Sequence, residues 1–325
     1  MLRYVIYGAG GIGGVVGARL QQAGFDTTLI ARGEHARVMQ ADGLRVVSPA
    51  GQEQLRVRVA LHPRELNFDS ETAVLLCVKS QHTQVALNDL ALVEGSAQTK
   101  IVCMQNGVAN ERMALRVFRS VYACVVNLPA MFINPGEVIT HAQGHGGILD
   151  TGCYPSGIDD SAAQIAGDLS QAGFSARPDA AVMRQKYAKL LNNLGNILQA
   201  AVSDVEGIRG LHRQLRHEAL ACYAAAGIGC ASAEETRERR EGVYRMADIP
   251  GYERTAGSSW QSLARATGDI ETDFLNGEIS LLGRLHGVPT PANDVCVDVA
   301  KELLRAGQSG IYSSVQLHEK IQQQS

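Results

Sequence analysis

A glycine-rich segment at residues 8–13 constrains the fold of this chain more than any other feature. The apolar run Tyr4–Tyr7 leads into Gly8-Ala9-Gly10-Gly11-Ile12-Gly13, and a helical pattern follows as far as Gly24. In a G-x-G-x-x-G turn the first glycine permits a tight turn, the second lets a pyrophosphate approach the backbone, and the third allows close packing of helix on strand. The alternative is a glycine-rich turn without a ligand. Because a second strand pattern follows at Thr27–Ile30, we predict that residues 8–13 bind a dinucleotide.

The residue that follows the second strand distinguishes the two nicotinamide dinucleotides. An NAD site usually has an acid there that bonds the ribose 2′-hydroxyl, whereas an NADP site has arginine near the 2′-phosphate. The chain has Ala31-Arg32-Gly33, and its first acid is Glu34. Arg32 can bind a phosphate through two N–H groups. The alternative is an ordinary solvated arginine, and we predict NADP(H).

Composition excludes several classes of function. The 325 residues carry a net charge of −3, which gives no basic surface for nucleic acid. The apolar runs are too short to span a bilayer. Seven scattered cysteines form no C-x-x-C pair, so we expect reduced thiols, no metal site and a cytoplasmic protein. The mixed-charge segment 237–241 is typical of a solvated helix face.

The pattern changes near Pro178. Before it, strand and helix patterns alternate, which predicts an α/β fold with a doubly wound, mostly parallel sheet, including a late antiparallel pair at 138–141 and 147–150. After it, helical patterns dominate, the first of them at about 180–201. We therefore predict a Rossmann-type domain over 1–178 and an all-α substrate and catalytic domain over 179–325.

The first helix of the second domain carries three polar residues at helical spacing. Lys189, Asn193 and Asn196 stand at i, i+4 and i+7, so a continuous helix places them on one face. A desolvated lysine is an effective general acid near neutral pH, and asparagines can bond a substrate oxygen. A solvated face is the alternative. Further on, Ser259 fits a helix cap and Glu271 a first-turn acid.

Together these segments resemble the ketopantoate reductase (2-dehydropantoate 2-reductase) family. The resemblance covers nearly the whole chain in the family's order, and it rests on GAGGIG at 8–13, VKSQ at 78–81, QNG at 105–107, KLLNNLGN at 189–196, SWQ at 259–261, ETDFLNG at 271–277 and HGVPTPAN at 286–293. No single motif is specific, but the combination is. The family fold is a Rossmann domain followed by a helical domain.

The resemblance implies a role for each matching residue. Residues 8–13 hold the pyrophosphate of NADP(H) and Arg32 its 2′-phosphate, and the cofactor also contacts Lys79, Asn106, Ala130 and Glu271. Lys189 is the proton donor, and Asn193 and Glu271 complete the catalytic group. Lys189, Asn193, Asn196 and Ser259 bind the substrate. The implied reaction is NADPH-dependent reduction of a small 2-oxo acid, most simply 2-dehydropantoate to pantoate in pantothenate biosynthesis.

Three positions depart from the family pattern. Tyr187 stands where tryptophan is usual, Asn196 follows the lysine by seven residues rather than eight, and Glu206 stands where some members have asparagine. These differences leave open a related dehydrogenase of another 2-oxo or 2-hydroxy acid, and a non-catalytic NADP-binding sensor remains a further alternative. The expected partner is the small-molecule substrate, neither nucleic acid nor membrane, with a homodimer left open.

Overall fold

A computed structural model describes residues 1–204, 207–253 and 270–324. The chain divides into two compact units. The first contains Met1–Met183 and Ala233–Glu253. The second contains Arg184–Ser232 and the described residues that follow Glu253.

The first unit is built around strands. In chain order they are β1 Arg3–Tyr7, β2 Thr27–Ile30, β3 Leu44–Ser48, β4 Gly51–Leu55, β5 Arg58–Ala60, β6 Thr72–Leu76, β7 Lys100–Cys103, β8 Ser120–Cys124, β9 Ala130–Met131, β10 Glu137–Thr140, β11 Ala142–Gly144, β12 Thr151–Cys153 and β13 Tyr244–Met246. Seven of them form one sheet in the order β12-β8-β7-β6-β1-β2-β5. All its neighbours are parallel except β8 and β12. The order reverses between β1 and β6, as in a doubly wound sheet, which confirms the predicted α/β class.

Helices cover both faces of this sheet. They are α1 Gly11–Gln22, α2 Gly33–Asp42, α3 Thr83–Ala91, α4 Asn110–Leu115 and α5 Asp160–Gln171. Successive side chains of a strand point to opposite faces, and the two cores divide β1 accordingly. Tyr4 and Ile6 pack in one apolar core, and Val5 and Tyr7 pack in the other. Burial on both sides explains why the central strands are apolar after their first residue, from Tyr4 in β1, Ala73 in β6 and Ile101 in β7.

Two smaller sheets complete the first unit. One has the order β4-β3-β10-β9, and the other pairs β11 with β13. The predicted antiparallel pair of 138–141 with 147–150 is wrong, because β10 pairs with β3 and β9 instead. Strand β12, which directly follows residues 147–150, pairs with β8 at the edge of the main sheet. Hydrophobic patterning identified these strands but does not determine their partners.

The segment 233–253 belongs to the first unit although it lies far along the chain. It contains helix α9 Ala233–Arg240 and strand β13. Arg239 donates two hydrogen bonds of 2.6 Å to the buried carboxylate of Asp150 and also bonds Ser175. The prediction of a solvated helix face is therefore wrong at Arg239. Its neighbour Arg237 is exposed, as predicted, and pairs with Glu234 at the surface.

The second unit is helical where the structure describes it. It contains most of α6 Val182–Asn193, then α7 Asn196–Ala201, α8 Ile208–Ala225, α10 Asn276–His286, α11 Pro291–Ala306 and α12 Ser314–Gln324. Its apolar core includes Leu194, Ile197, Leu211, Leu215, Ile279, Val295, Val299 and Leu303. The predicted helix over 180–201 is interrupted after Asn193, so α6 and α7 are separate. None of the described helices is long and apolar enough to cross a membrane.

Candidate functional site

The glycine-rich turn lies between β1 and α1 and is closely packed. Gly8 has φ +104°, and a Cβ atom there would lie 2.9 Å from the backbone nitrogen of Val78, which follows β6. A Cβ atom at Gly13 would lie 2.1 Å from the carbonyl oxygen of Gly8. Both positions therefore require glycine, one for its conformation and both for the close approach of neighbouring backbone.

The start of α1 has the properties of an anion-binding site. The N–H of Gly14 bonds the carbonyl of Gly10 over 2.7 Å, so the N–H groups of residues 11–13 precede the intrahelical ladder. The residue before the helix, Gly10, has no side chain with which to cap this end, and no acid lies in the first turn. A Cβ atom at Gly10 would meet no heavy atom of the described residues within 4 Å, whereas one at Gly11 would lie 3.2 Å from the carbonyl of Ala130. A pyrophosphate fits these donors, with Ala130 beside the turn.

Arg32 follows β2 and occupies the position before α2. Its side chain is exposed and makes no hydrogen bond or ion pair with any residue in the described part of the chain. The nearby acid, Glu34, is instead bonded by Arg37, with Nε 2.7 Å from Oε2. Burial raises the pKa of Tyr7, and the positive charge of Arg32 partly opposes that shift. The end of β2 thus presents a cation whose charge is available to an anionic ligand.

His35, which no sequence motif indicates, supports the glycine-rich turn. Its Nε2 donates to the carbonyl of Ala9 over 2.8 Å, and its Nδ1 accepts the N–H of Gly136 over 2.8 Å. The ring lies 4.4 Å from that of Phe132, centroid to centroid. Burial lowers the pKa of His35, and the bond to Ala9 partly opposes the shift. Because one nitrogen donates and the other accepts, the imidazole in this arrangement is neutral.

Lys79 and Asn106 follow the neighbouring strands β6 and β7, and both are half-buried. A buried polar cluster joins the two strand ends. The carbonyl of Asn106 accepts from Asn110 Nδ2 over 3.0 Å, which also donates to Ser80 Oγ over 3.1 Å. From the other side, Gln105 Nε2 donates to the carbonyl of Val78 over 2.7 Å. These bonds fix the backbone on which Lys79 and Asn106 lie. The sequence showed the motifs VKSQ and QNG but not their mutual contacts.

In the second unit, Lys189 and Asn193 lie one turn apart on α6, and Asn196 begins α7. All three are half-buried. The amide nitrogen of Asn193 is inaccessible to solvent and has no hydrogen-bond partner among the described residues. A buried donor without a partner costs free energy, which a ligand oxygen would recover. This end of α6 therefore suits an oxygen-rich ligand.

The remaining predicted residues divide into two groups. Glu271 is half-buried in a short 3₁₀ helix, Glu271–Phe274, directly before α10. Ser259 and Glu206 lie outside the described residues. No group of three or more histidine, cysteine, aspartate or glutamate side chains able to hold a metal ion occurs within 1–204, 207–253 and 270–324.

The sheet order and the glycine turn after β1 define a Rossmann-type α/β protein with a helical second unit. Comparison with known families then identifies the family. The family model for the ketopantoate reductase PanE/ApbA matches residues 4–155, and the model for the C-terminal domain of the same family matches residues 180–304. The chain belongs to the ketopantoate reductase family and is an oxidoreductase.

Individual relatives align with this chain over almost its whole length. The 2-dehydropantoate 2-reductase of Mesorhizobium japonicum is 28% identical over 96% of this chain and 100% of its own. The structure of a PanE/ApbA family ketopantoate reductase from Ralstonia eutropha JMP134 is 27% identical, with a TM-score of 0.77 over 94% of this chain and 99% of its own. D-mandelate dehydrogenase in complex with NADH and anilino(oxo)acetate has a TM-score of 0.79 over 94% and 99%, but at 21% identity it shows the shared fold alone.

Proposed function

We propose that this protein reduces 2-dehydropantoate to pantoate with NADPH. The family and the activity named for its relatives support the reaction. The observation that carries the proposal is the buried, unpartnered amide nitrogen of Asn193, one helical turn from Lys189. Such a donor suits a substrate that brings a keto oxygen, a carboxylate and a hydroxyl group.

In this proposal the first unit binds the dinucleotide. The N–H groups at the start of α1 bond the pyrophosphate of a cofactor held by residues 8–13, and Arg32 pairs with the 2′-phosphate. Lys79, Asn106 and Ala130 contact the cofactor from the neighbouring strand ends, and Glu271 is assigned a contact with it too. When bound, NADPH supplies the hydride that reduces the keto carbon.

Lys189 supplies the proton. Its ammonium group stabilises negative charge as it develops on the keto oxygen and then donates a proton to that oxygen, which gives the alcohol. Asn193 and Asn196 hold substrate oxygens, and Ser259 bonds the carboxylate. Glu271 is proposed to orient this lysine, so Lys189, Asn193 and Glu271 form the catalytic group.

The proposed setting is the cytoplasm, because all seven cysteines are free thiols, as expected in a reducing compartment. The departures at Tyr187, Asn196 and Glu206 make substrate identity the part of the proposal that most needs a test. A related dehydrogenase acting on another 2-oxo acid is the alternative to exclude.

The test is a substrate panel measured by NADPH oxidation. The purified protein is assayed with 2-dehydropantoate, 2-oxoisovalerate, pyruvate and the aromatic 2-oxo acid benzoylformate. We expect kcat/KM for 2-dehydropantoate to exceed that of every other acid by at least about tenfold, or about 1.4 kcal/mol of transition-state binding. A higher kcat/KM for another acid would transfer the assignment to that substrate, and no oxidation with any of them would leave the sensor alternative.

A further inference from the structure

Side chains from two other helices hold the interruption between α6 and α7. Asn276, the first residue of α10, is buried and donates from Nδ2 to the carbonyl oxygen of Leu194 over 3.2 Å. His212 of α8 bonds through Nε2 to the carbonyl oxygen of Leu191 over 3.0 Å. A continuous helix would use the Leu191 carbonyl to accept the N–H of Gly195. The His212 side chain therefore occupies a place in the helical ladder, one of the recognised causes of a helix break.

Gly195 permits this arrangement. A Cβ atom at that position would lie 3.1 Å from Cδ2 of His212, a tighter contact than most side chains make. The glycine thus lets α8 approach the chain at the interruption. Asn193 and Asn196 lie on either side of the Leu194-Gly195 pair. The contacts of Leu194 and Gly195 therefore influence where the two asparagine side chains point.

The amide of Asn276 belongs to a buried chain of hydrogen bonds. Besides Leu194, its Nδ2 donates to Oδ1 of Asn293 over 3.1 Å. Asn293 in turn donates from Nδ2 to Oε2 of Glu218 over 2.7 Å and to the carbonyl of Leu215 over 3.3 Å. Each amide nitrogen has two hydrogens, and in both residues the two are used.

The carboxylate of Glu218 determines which groups donate and which accept in this series of hydrogen bonds. It also accepts the N–H groups of Ala292 and Asn293 at the start of α11, over 2.9 and 3.0 Å. Burial raises the pKa of Glu218, and these bonds oppose the shift. Because a carboxylate only accepts, Asn293 must direct its nitrogen toward Glu218 and its oxygen toward Asn276. Asn276 must then direct its nitrogen toward Asn293 and Leu194.

We propose that Asn276 is a positioning residue for substrate binding. By holding the carbonyl of Leu194, it fixes the interruption of the helix and thereby the directions of the Asn193 and Asn196 amides. This inference rests on the proposed function, in which those asparagines bind the 2-oxo acid. Asn276 acts through backbone and needs no contact with the substrate.

The test replaces Asn276 and compares it with a matched neighbour on α10. Asn276→Ala removes the donor to Leu194, and we expect the KM for 2-dehydropantoate to rise about tenfold, because small errors in orientation are costly. The dissociation constant of NADPH should stay unchanged. Ser280 is equally buried one turn later, and its hydroxyl has no partner among the described residues. Ser280→Ala should therefore keep the wild-type KM.

Hydrogen exchange followed by mass spectrometry adds a measurement that does not depend on turnover. Asn276→Ala should accelerate exchange in peptides that cover residues 190–200 and leave peptides of the first unit unchanged, whereas Ser280→Ala should change neither. If Asn276→Ala does not fold, Asn276→Ser replaces it, since serine retains a shorter donor. Failure of both variants to fold would assign Asn276 a purely structural role and overturn the proposal.

The two proposals fail in different ways. If the wild-type protein reduces 2-dehydropantoate while Asn276→Ala and Ser280→Ala share its KM, the positioning role is overturned and the proposed function stands. The same holds if exchange over 190–200 is identical in the two variants. If the wild-type protein turns over no 2-oxo acid, the proposed function itself is refuted.

Discussion

At the scale of single residues, Arg32 decides the proposed choice of cofactor. It is an exposed cation at the end of β2 with no ion pair among the described residues. We predict that wild-type protein prefers NADPH over NADH by at least about tenfold in kcat/KM, or about 1.4 kcal/mol. Arg32→Ala should remove most of that preference and leave activity with NADH nearly unchanged. Equal use of both cofactors by the wild-type protein would contradict the assignment.

Lys189 is the residue on which the proposed proton transfer depends. Lys189→Ala should lower kcat by roughly 10²–10⁴-fold, the usual contribution of a positioned general acid. The affinity for NADPH, measured by fluorescence titration, should change little. Lys301→Ala provides the control, because it removes an exposed lysine of the second unit whose one ion pair among the described residues is with the exposed Asp298. A Lys189→Ala variant with half the wild-type kcat would place Lys189 outside the mechanism.

His35 makes the stability of the folded protein depend on pH. Burial lowers its pKa from an ordinary value of 6.5, so the unfolded chain binds a proton there more readily than the folded protein. The stabilisation that neutral His35 provides is therefore fully present above that ordinary value and is lost as pH falls through the lowered pKa. The free energy of unfolding of wild-type protein should fall toward acid more steeply than that of His35→Gln. Parallel denaturant titrations between about pH 7.5 and pH 5 measure the difference, and equal slopes would refute it.

The residues that could be predicted are those whose chemistry is local. The glycines at 8, 10 and 13 follow from the geometry of one strand–turn–helix unit, which needs only adjacent residues. His35 could not be selected in this way, because its partners Ala9 and Gly136 are far apart in the sequence. Asn276 and Asn293 belong to motifs that supported the family resemblance, but their role depends on contacts with α6 and α8.

At the scale of elements, the central strands were predictable and the helix interruption was not. Strands buried on both faces have continuous apolar sequences, which the sequence shows directly. The interruption after Asn193 depends on His212, which arrives from a different helix. The predicted pairing of 138–141 with 147–150 is wrong for a similar reason, since apolar patterning does not specify which strands pair.

Helix α9 offers a prediction at this scale. Arg239 and Asp150 form a two-bond ion pair whose side chains are 10% and 2% exposed. Arg239→Ala would leave the buried carboxylate with one hydrogen bond from the backbone N–H of Arg177, at 3.1 Å, and with the longer contact to the Arg177 side chain, at 3.7 Å, as its remaining ion pair among the described residues. We expect a loss of about 3 kcal/mol in the free energy of unfolding, the lower end for breaking a buried pair.

The control for this experiment is Arg237→Ala on the same helix. Arg237 pairs with Glu234 at the surface, where such pairs contribute about 0–1 kcal/mol. Urea denaturation of both variants compares the two positions directly. Similar losses at Arg239 and Arg237 would show that the pair with Asp150 does not anchor the segment.

At the scale of the whole molecule, the sequence predicted an α/β part and a helical part, and the structure contains both. What it could not indicate is that residues 233–253 belong with the first unit, since their helical and mixed-charge pattern resembles that of the surrounding helical region. Membership of a compact unit depends on long-range contacts such as Arg239 with Asp150, and these leave no periodic signal in the sequence.

The proposed reaction converts 2-dehydropantoate to pantoate with NADPH as the reductant. The most direct measurement incubates the full chain with both compounds and quantifies pantoate formed against NADPH consumed, with Lys189→Ala in parallel. We predict one pantoate for each NADPH oxidised by the wild-type protein, and a rate lower by about 10²-fold or more for the variant. NADPH consumption without pantoate, or equal rates for the two proteins, would contradict it.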